Sequence, residues 1–155
     1  MKKICLSITA VLVALILFCS CSSQKRVDLT ALMSDVDSNF GLTDMTAVES
    51  LEELHTLFMI DEDDISQFSA EYSAESDTRQ EIILVEAKDK TAAFRVKTTL
   101  FNRLDSFLSN SKSYSPEEYA VLEKCKVNVY NDIYVTLVIN ENAEEIDSYI
   151  KENLT

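Results

Sequence analysis

Few residues of this chain combine the types and spacings that catalysis or metal binding requires. The only histidine, His55, excludes the two-histidine motif of zinc proteases. The only glycine excludes the dinucleotide-binding fingerprint, the P-loop and the nucleophile elbow, because each of these needs several glycines. No Cys-x-x-Cys spacing is present for a metal or redox site. The sequence therefore predicts no catalytic residue, no metal site and no cofactor.

For three side chains, the sequence allows a chemical role as an alternative to a structural role. His55 follows Leu51 by four residues on a predicted helix face, which favours a packed, hydrogen-bonded core or boundary residue over a ligand. Lys97 falls inside the apolar arc of another predicted helix, which favours an aliphatic stem packed on a sheet over a buried ion pair. Cys125 opens an apolar strand, which favours a small semi-buried side chain over a nucleophile activated by the lysines beside it.

The acidic run Asp61–Asp64 raises the question of calcium binding. A calcium hand spaces its oxygen ligands at alternate positions of a twelve-residue loop, with a central glycine and a closing glutamate. None of that spacing is present here. The run is therefore predicted to be a solvated turn that caps a neighbouring element.

The N-terminus has the features of an export signal. A short basic start precedes the uncharged run Ile4–Phe18, which has the length of a signal-peptide core and is shorter than a membrane-spanning helix. The segment Phe18-Cys19-Ser20-Cys21 resembles the bacterial lipobox, in which a small residue precedes the cysteine that receives diacylglycerol. Cys21 is accordingly the predicted lipidation site. A general secretory signal cleaved nearby, or an uncleaved anchor, remains the alternative.

These features divide the chain into three parts. Residues 1–20 are predicted to be the signal peptide, residues 21–26 a polar tether, and residues 27–155 one domain. Two acyl chains on Cys21 would give stable anchoring where one would be marginal. The domain is then expected to be exported and held at the outer face of the cytoplasmic membrane.

The charge balance limits the classes of partner. The chain has 14 Lys and Arg residues against 27 Asp and Glu residues, a net charge of −13 with a pI of about 4.4. A nucleic-acid partner is excluded, because phosphate binding needs a basic surface. Anionic lipid headgroups repel such a body as well, so only the lipid anchor is expected to touch the membrane. The domain is expected to be a monomer.

The hydrophobic pattern predicts an α+β fold. The expected sheet has four antiparallel strands in two hairpins, with the long helix and the C-terminal helix packed on one face. Short helices precede the sheet. Asn131 and Asp132 are predicted to form a two-residue turn in the second hairpin. The predicted helices are 28–40, 48–58, 89–111, 115–124 and 142–154, and the predicted strands are 67–74, 81–87, 127–129 and 133–139. A helix remains the alternative for the first of these strands, because Ile65, Phe68 and Tyr72 also fit a helical period.

The segment Tyr114–Tyr119 combines a helix start with two aromatic residues. Ser115 and Pro116 suit the cap and the first position of a helix, and Glu118 is placed to reach back to the Ser115 amide. Tyr119 precedes Leu122 by three residues and is expected to pack inward. Tyr114 is expected to precede the helix as an exposed ring, so Tyr114 and Tyr119 are the predicted partner-binding residues.

Several stretches resemble a family of small bacterial lipoproteins, frequent in anaerobic Gram-positive bacteria, that carry a domain of unknown function. The resemblance covers the lipobox and the chain from Leu51 onward, and it lies in 60–65, 81–82, 88–89, Arg103, 114–119 and Leu122. It implies a location and a fold, and supplies no catalytic residue. The most specific stretch is Tyr-Ser-Pro-Glu-Glu-Tyr, residues 114–119.

The expected function is a membrane-anchored, extracytoplasmic lipoprotein that serves as a non-enzymatic binding or accessory module of the cell envelope. Its partner would be an envelope protein or polymer. The alternative is an extracytoplasmic enzyme, or an acyl-transfer accessory, acting on an envelope polymer. An enzyme is expected to gather His55, Lys97, Cys125 or two carboxylates in one pocket, whereas a binding module is expected to expose an aromatic patch.

Overall fold

The computed structural model describes residues 26–73 and 79–155. The predicted signal peptide, Cys21 and the predicted tether up to residue 25 lie outside these residues, as does the turn predicted at 76–78. Within the two described ranges, no helix combines the length and the apolar character needed to cross a membrane.

The described part of the chain contains five α-helices and five strands, and the predicted α+β class is confirmed. The helices are α1 (Leu29–Phe40), α2 (Leu51–Phe58), α3 (Lys90–Tyr114), α4 (Pro116–Leu122) and α5 (Ala143–Leu154). The strands are β1 (Thr46–Ala47), β2 (Ile65–Tyr72), β3 (Glu81–Ala87), β4 (Val127–Tyr130) and β5 (Tyr134–Ile139). A short 3₁₀ turn, Glu62–Asp64, leads into β2.

Local capping sets the helix boundaries. The side chain of Asp28 accepts hydrogen bonds from two backbone N–H groups in the first turn of α1, and Asp89 does the same for α3. α1 ends at Gly41, whose φ of 67° lies in the left-handed region that glycine adopts without a steric penalty. These three boundaries agree with the sequence prediction.

The sheet has five antiparallel strands in the order β1-β2-β3-β5-β4, so the prediction of four strands is wrong. The additional strand, β1, pairs Thr46 with Tyr72 at one edge. Two residues are too few to show the alternation by which a strand is recognised in a sequence. The second hairpin turns at Asn131 and Asp132 as predicted. Both residues have positive φ, 47° and 66°, and the Ile133 amide donates a hydrogen bond to the Tyr130 carbonyl, while Tyr130 pairs with Tyr134.

Helices cover both faces of the sheet, and the prediction that they pack on one face is wrong. All seven residues of β3 are buried, as expected of a strand covered on both sides. On one face, Tyr130 donates a hydrogen bond to Asp147 of α5, and Gln67 accepts one from the Leu29 amide of α1. On the opposite face, Glu81 bonds Arg103 of α3.

The buried arc of the long helix α3 is narrower than the sequence predicts. The helical period predicts a main row that includes Ala93, Val96, Leu100 and Leu104, and these four residues are buried. Phe94 and Phe101, which the same period places alongside this row, are 69% and 56% exposed. Lys97 lies between them on the same exposed flank, so its stem is not packed on the sheet.

Two carboxyl groups meet between α1 and the sheet. Burial raises the pKa of Asp37, and burial together with the negative charge of Asp37 raises the pKa of Glu71. The folded protein therefore binds protons at this pair more tightly than the unfolded chain. The stabilising contribution is complete below the unfolded-state pKa of about 4 and is lost as the pH rises through the raised values.

Asp37→Asn is expected to raise the free energy of unfolding at pH 7, because it removes one of the two negative charges and leaves an amide to bond Glu71. The gain should shrink as the pH falls toward 4, where the wild-type pair is protonated. Urea unfolding at several pH values measures this, with Asp35→Asn on the exposed side of α1 as the control. A gain that does not vary with pH would contradict the carboxyl pair.

Candidate functional site

A buried ion pair joins β3 to α3 at one end of the sheet. Glu81 is 4% exposed, and Arg103 donates hydrogen bonds from Nε and Nη2 to its two carboxylate oxygens at 2.7 Å each. Arg103 Nη1 also donates to the carbonyl oxygen of Leu57 at 2.9 Å. This fork geometry fixes α2, β3 and α3 relative to one another.

Two guanidinium groups pack on the ring of Phe107, one turn after Arg103 on α3. The Arg79 guanidinium carbon lies 3.8 Å from the ring centroid, and that of Arg103 lies 4.8 Å from it. Arg79 also approaches Glu118 at 3.4 Å and Glu81 at 3.7 Å. Both contacts of Arg79 are longer than a good charge-assisted hydrogen bond, and its side chain is 41% exposed.

Two surface depressions meet at Phe107, and we call them together the Phe107 groove. The larger has a volume of about 430 Å³ and is lined by Phe58, Met59, Thr99, Asn102, Arg103, Ser106 and Phe107. The smaller has a volume of about 220 Å³ and is lined by Arg79, Phe107, Asn110, Ser111, Tyr114, Ser115 and Glu118. Exposed side chains mark its two ends: Met59 is 69% exposed and Tyr114 is 90% exposed.

The groove lies along the middle and the C-terminal part of α3, away from the entry of the chain into the domain. At the entry end, the Val27 amide donates to the hydroxyl of Tyr134, the first residue of β5. Lys90, the first residue of α3, pairs with Asp132 in the loop just before that strand. The 25 residues of α3 then span about 37 Å to Tyr114.

Of the two predicted partner-binding residues, Tyr114 lines this groove and Tyr119 is not among its lining residues. Tyr114 precedes α4 and its ring is exposed, as predicted, but it is also the last residue of α3, so the predicted end of that helix at residue 111 is wrong. Tyr119 is half-buried on α4. α3 continues to Tyr114 because the Ser115 amide donates to the Ser111 carbonyl.

Only one of the two predicted capping hydrogen bonds is present at the start of α4. Ser115 Oγ accepts a hydrogen bond from the Glu118 amide, which is the expected N-cap. The prediction that the Glu118 carboxylate reaches back to the Ser115 amide is wrong. This carboxylate lies against the Arg79 guanidinium instead. The competing guanidinium offers Glu118 a charged partner in place of a neutral amide.

His55, Lys97 and Cys125, the three side chains for which the sequence allows a chemical role, do not line the Phe107 groove. His55 is exposed on α2 and its Nδ1 lies 2.9 Å from the Ile60 carbonyl oxygen, so the prediction of a packed position is wrong while that of a hydrogen bond is confirmed. Cys125 is buried, its Sγ donates to the Val121 carbonyl, and burial raises the pKa of its thiol. A raised pKa disfavours the reactive thiolate.

The acidic run after α2 has a structural role. Asp61 caps the 3₁₀ turn, as predicted, by accepting a hydrogen bond from the Asp63 amide. Asp64 is 4% exposed and bonds the Arg95 guanidinium through both carboxylate oxygens, so the prediction of a fully solvated run is wrong. Across residues 26–73 and 79–155, no three His, Cys, Asp or Glu side chains come close enough to hold a metal ion.

The Phe107 groove can bind a ligand through three kinds of contact. Tyr114, Met59 and the edge of Phe107 offer exposed apolar and aromatic surface. Arg79 has N–H groups beyond its long contacts to Glu118 and Glu81, and can donate to an anionic or carbonyl group. Of these residues, only Tyr114 can be identified from the sequence, because the assembly of Arg79, Met59 and Phe107 depends on tertiary packing.

The comparisons with known proteins give one family. The family model described as a domain of unknown function, DUF4358, matches residues 38–140, which include β1 to β5 and both arginines of the groove. Searches of the curated proteins and of the solved structures returned no significant match. Because the family model covers about two thirds of the sequence, the chain belongs to the DUF4358 family.

Proposed function

We propose that this protein is an exported lipoprotein, anchored through Cys21, whose domain is a non-enzymatic binding module of the cell envelope. The Phe107 groove is the proposed binding surface, and its partner is an envelope protein or polymer. The observation that carries the proposal is the exposed ring of Tyr114 on the rim of a groove that contains two guanidinium groups.

The position of the groove supports this role. Val27 is bonded to the sheet, so only residues 22–26 separate the proposed anchor from the domain, a reach of about 22 Å at most. An anchored domain would therefore have its entry end close to the membrane. The groove, along the middle and the C-terminal part of α3, would lie farther from the membrane and open toward envelope components.

The charge distribution is consistent with the same orientation. The domain carries all 27 acidic residues of the chain, so anionic headgroups repel it and favour a contact limited to the acyl chains. At the groove, Arg79 and Arg103 balance the charges of Glu81 and Glu118, so this surface is locally neutral on a strongly acidic domain. A partner with acidic or carbonyl groups beside apolar surface would complement this groove.

Tyr114→Ala is expected to leave folding nearly unchanged and to weaken partner association, because a 90% exposed ring contributes little to the core and much to an interface. Cross-linking in solubilised membranes, followed by quantitative mass spectrometry of the captured species, measures the association. Urea unfolding measures the stability.

Ser115→Ala is the matched control beside it. It removes the N-cap of α4, at a cost of about 1 kcal/mol, and retains the ring of Tyr114. Because the Ser115 side chain also lines the groove, Ser115→Ala can lose a little capture, and the proposal requires a clearly larger loss for Tyr114→Ala. Equal capture of the same partners by wild type and Tyr114→Ala would exclude this groove as the binding surface.

A further inference from the structure

The Phe107 groove is elongated, and its floor along α3 is largely polar. Four lining residues share one face of the helix, because they follow one another at spacings of four, three and four: Thr99, Arg103, Ser106 and Asn110. Tyr114 continues this row at its C-terminal end. At about 1.5 Å per residue, the row from Thr99 to Tyr114 is about 22 Å long. A groove of this length suits a segment of an extended polymer better than a compact small molecule.

The uncharged side chains of this row have free hydrogen-bonding groups. Ser106 and Asn110 are exposed, and neither side chain makes a hydrogen bond within residues 26–73 and 79–155. By contrast, the hydroxyl groups of Thr98 and Ser111 on the same helix bond backbone carbonyl groups. A hydroxyl and a side-chain amide can each donate and accept hydrogen bonds. Such groups complement a ligand that is rich in hydroxyl groups.

The ring of Tyr114 supplies a flat apolar surface at the end of this row. It is 90% exposed, so its faces are open to a ligand. The face of an aromatic ring carries partial negative charge and attracts weakly positive groups, which include C–H groups. The C–H groups of a sugar lie on the faces of its ring, whereas the hydroxyl groups lie at its edge. An exposed aromatic ring beside free hydroxyl and amide groups therefore matches both surfaces of a sugar.

The charge of the groove selects a neutral ligand. The two arginines are balanced by Glu81 and Glu118, and the chain has a net charge of −13, so an anionic polymer would be repelled. Arg79 packs its face on the Phe107 ring and contacts the two acids through Nε and Nη1. Its Nη2 remains as a donor beside an apolar ring. A neutral carbonyl group next to a methyl group, as in an acetamido substituent, complements this donor and this ring.

We infer that the Phe107 groove binds a neutral glycan chain whose sugars carry acetamido groups. The inference rests on the proposed function and chooses a polymer over a protein as its ligand. A docking peptide helix needs a continuous apolar groove, and an added peptide strand needs a free sheet edge. The row along α3 is polar, and none of the residues that line the groove belongs to a strand.

Sedimentation of the full-length chain, solubilised in detergent, with chitin particles tests this ligand. Chitin is a neutral polymer of N-acetylglucosamine, and cellulose has the same backbone without acetamido groups. We expect the wild type to sediment with chitin, to be released by soluble chitotetraose, and to stay in solution with cellulose.

Variants along the row test where the glycan binds. Tyr114→Ala is expected to weaken binding to chitin about tenfold or more, as the loss of an aromatic anchor does. Tyr114→Phe should recover most of that loss, because it restores the ring. Asn110→Ala should weaken binding several-fold, whereas Ser109→Ala, exposed on the same helix and outside the groove lining, should bind as the wild type does.

The failure of this inference can be distinguished from a failure of the proposed function. Absence of sedimentation with chitin, equal sedimentation with cellulose, or equal binding by Tyr114→Ala and wild type would each overturn the glycan ligand. A protein cross-linked at position 114 in intact cells, together with no binding to chitin, would overturn the glycan and leave the binding module in place. Absence of both would overturn both.

Discussion

Arg103→Ala is expected to lower the free energy of unfolding by about 3–5 kcal/mol, the usual cost of leaving a buried charge without its partner. The substitution removes two hydrogen bonds to Glu81 and one to the Leu57 carbonyl. Glu81 would remain buried, with only Arg79 at 3.7 Å to balance its charge. A domain of this size has about 5–15 kcal/mol of total stability, so the loss is a large part of it.

Urea unfolding of a soluble fragment, residues 26–155, measures the effect against two controls. Arg95→Ala breaks the pair with Asp64, but the Arg95 side chain is 56% exposed, so water can enter and the loss should be smaller. Glu81→Gln/Arg103→Met removes both charges and should recover most of the lost stability. If Arg103→Ala were no less stable than Arg95→Ala, the pair would not be the main link between β3 and α3.

Cys21→Ala is expected to abolish membrane anchoring. Two acyl chains contribute about 0.8 kcal/mol per buried methylene, and the acidic domain has no other favourable contact with an anionic membrane. The variant should therefore accumulate as unprocessed precursor or appear in the medium. Cell fractionation with intact-mass measurement distinguishes these outcomes from an anchored mature protein.

Cys19→Ala is the matched control, two residues before the proposed site. The lipobox assigns no lipid to Cys19, which belongs to the signal peptide that is removed. This variant should therefore keep the membrane location and the mature mass of the wild type. Cys21→Ala that stays in the membrane fraction at the mature mass would show that the anchor lies elsewhere.

The helix boundaries could be predicted because short-range contacts set them. Asp28, Asp89 and Ser115 each cap the helix that follows with their own side chain, and Gly41 supplies the left-handed residue at the end of α1. Such contacts span no more than four residues along the chain. A pattern read along the sequence therefore contains them.

The width of the buried arc of α3 could not be predicted in the same way. Phe94 and Phe101 are as apolar as the buried leucines, and the sequence pattern placed all of them in one arc. In the structure the sheet covers only the alanine, valine and leucine stripe, and the two rings remain outside it. Which part of a wide arc is buried depends on the neighbouring layer, and periodicity carries no information on that layer.

Of the residues that line the Phe107 groove, only Tyr114 is identified by the sequence as a candidate binding residue. The exposure of Tyr114 followed from its place beside a helix start, whereas Arg79 and Phe107 are 28 residues apart and meet only through packing. One signal was present in the sequence. Glu81 and Glu86 are charged residues in an otherwise apolar strand, and buried charges of this kind need partners. The sequence does not show that Arg103 is the partner of Glu81.

A photo-reactive benzophenone amino acid placed at position 114 of the full chain tests the proposed function most directly. Irradiation of intact cells should give a cross-linked adduct of defined mass in the membrane fraction, because the side chain at 114 lies on the rim of the Phe107 groove. The same amino acid at position 145, exposed on α5 on the other face of the sheet, should give none. No adduct from position 114, or the same adduct from both positions, would contradict a binding module that uses this groove.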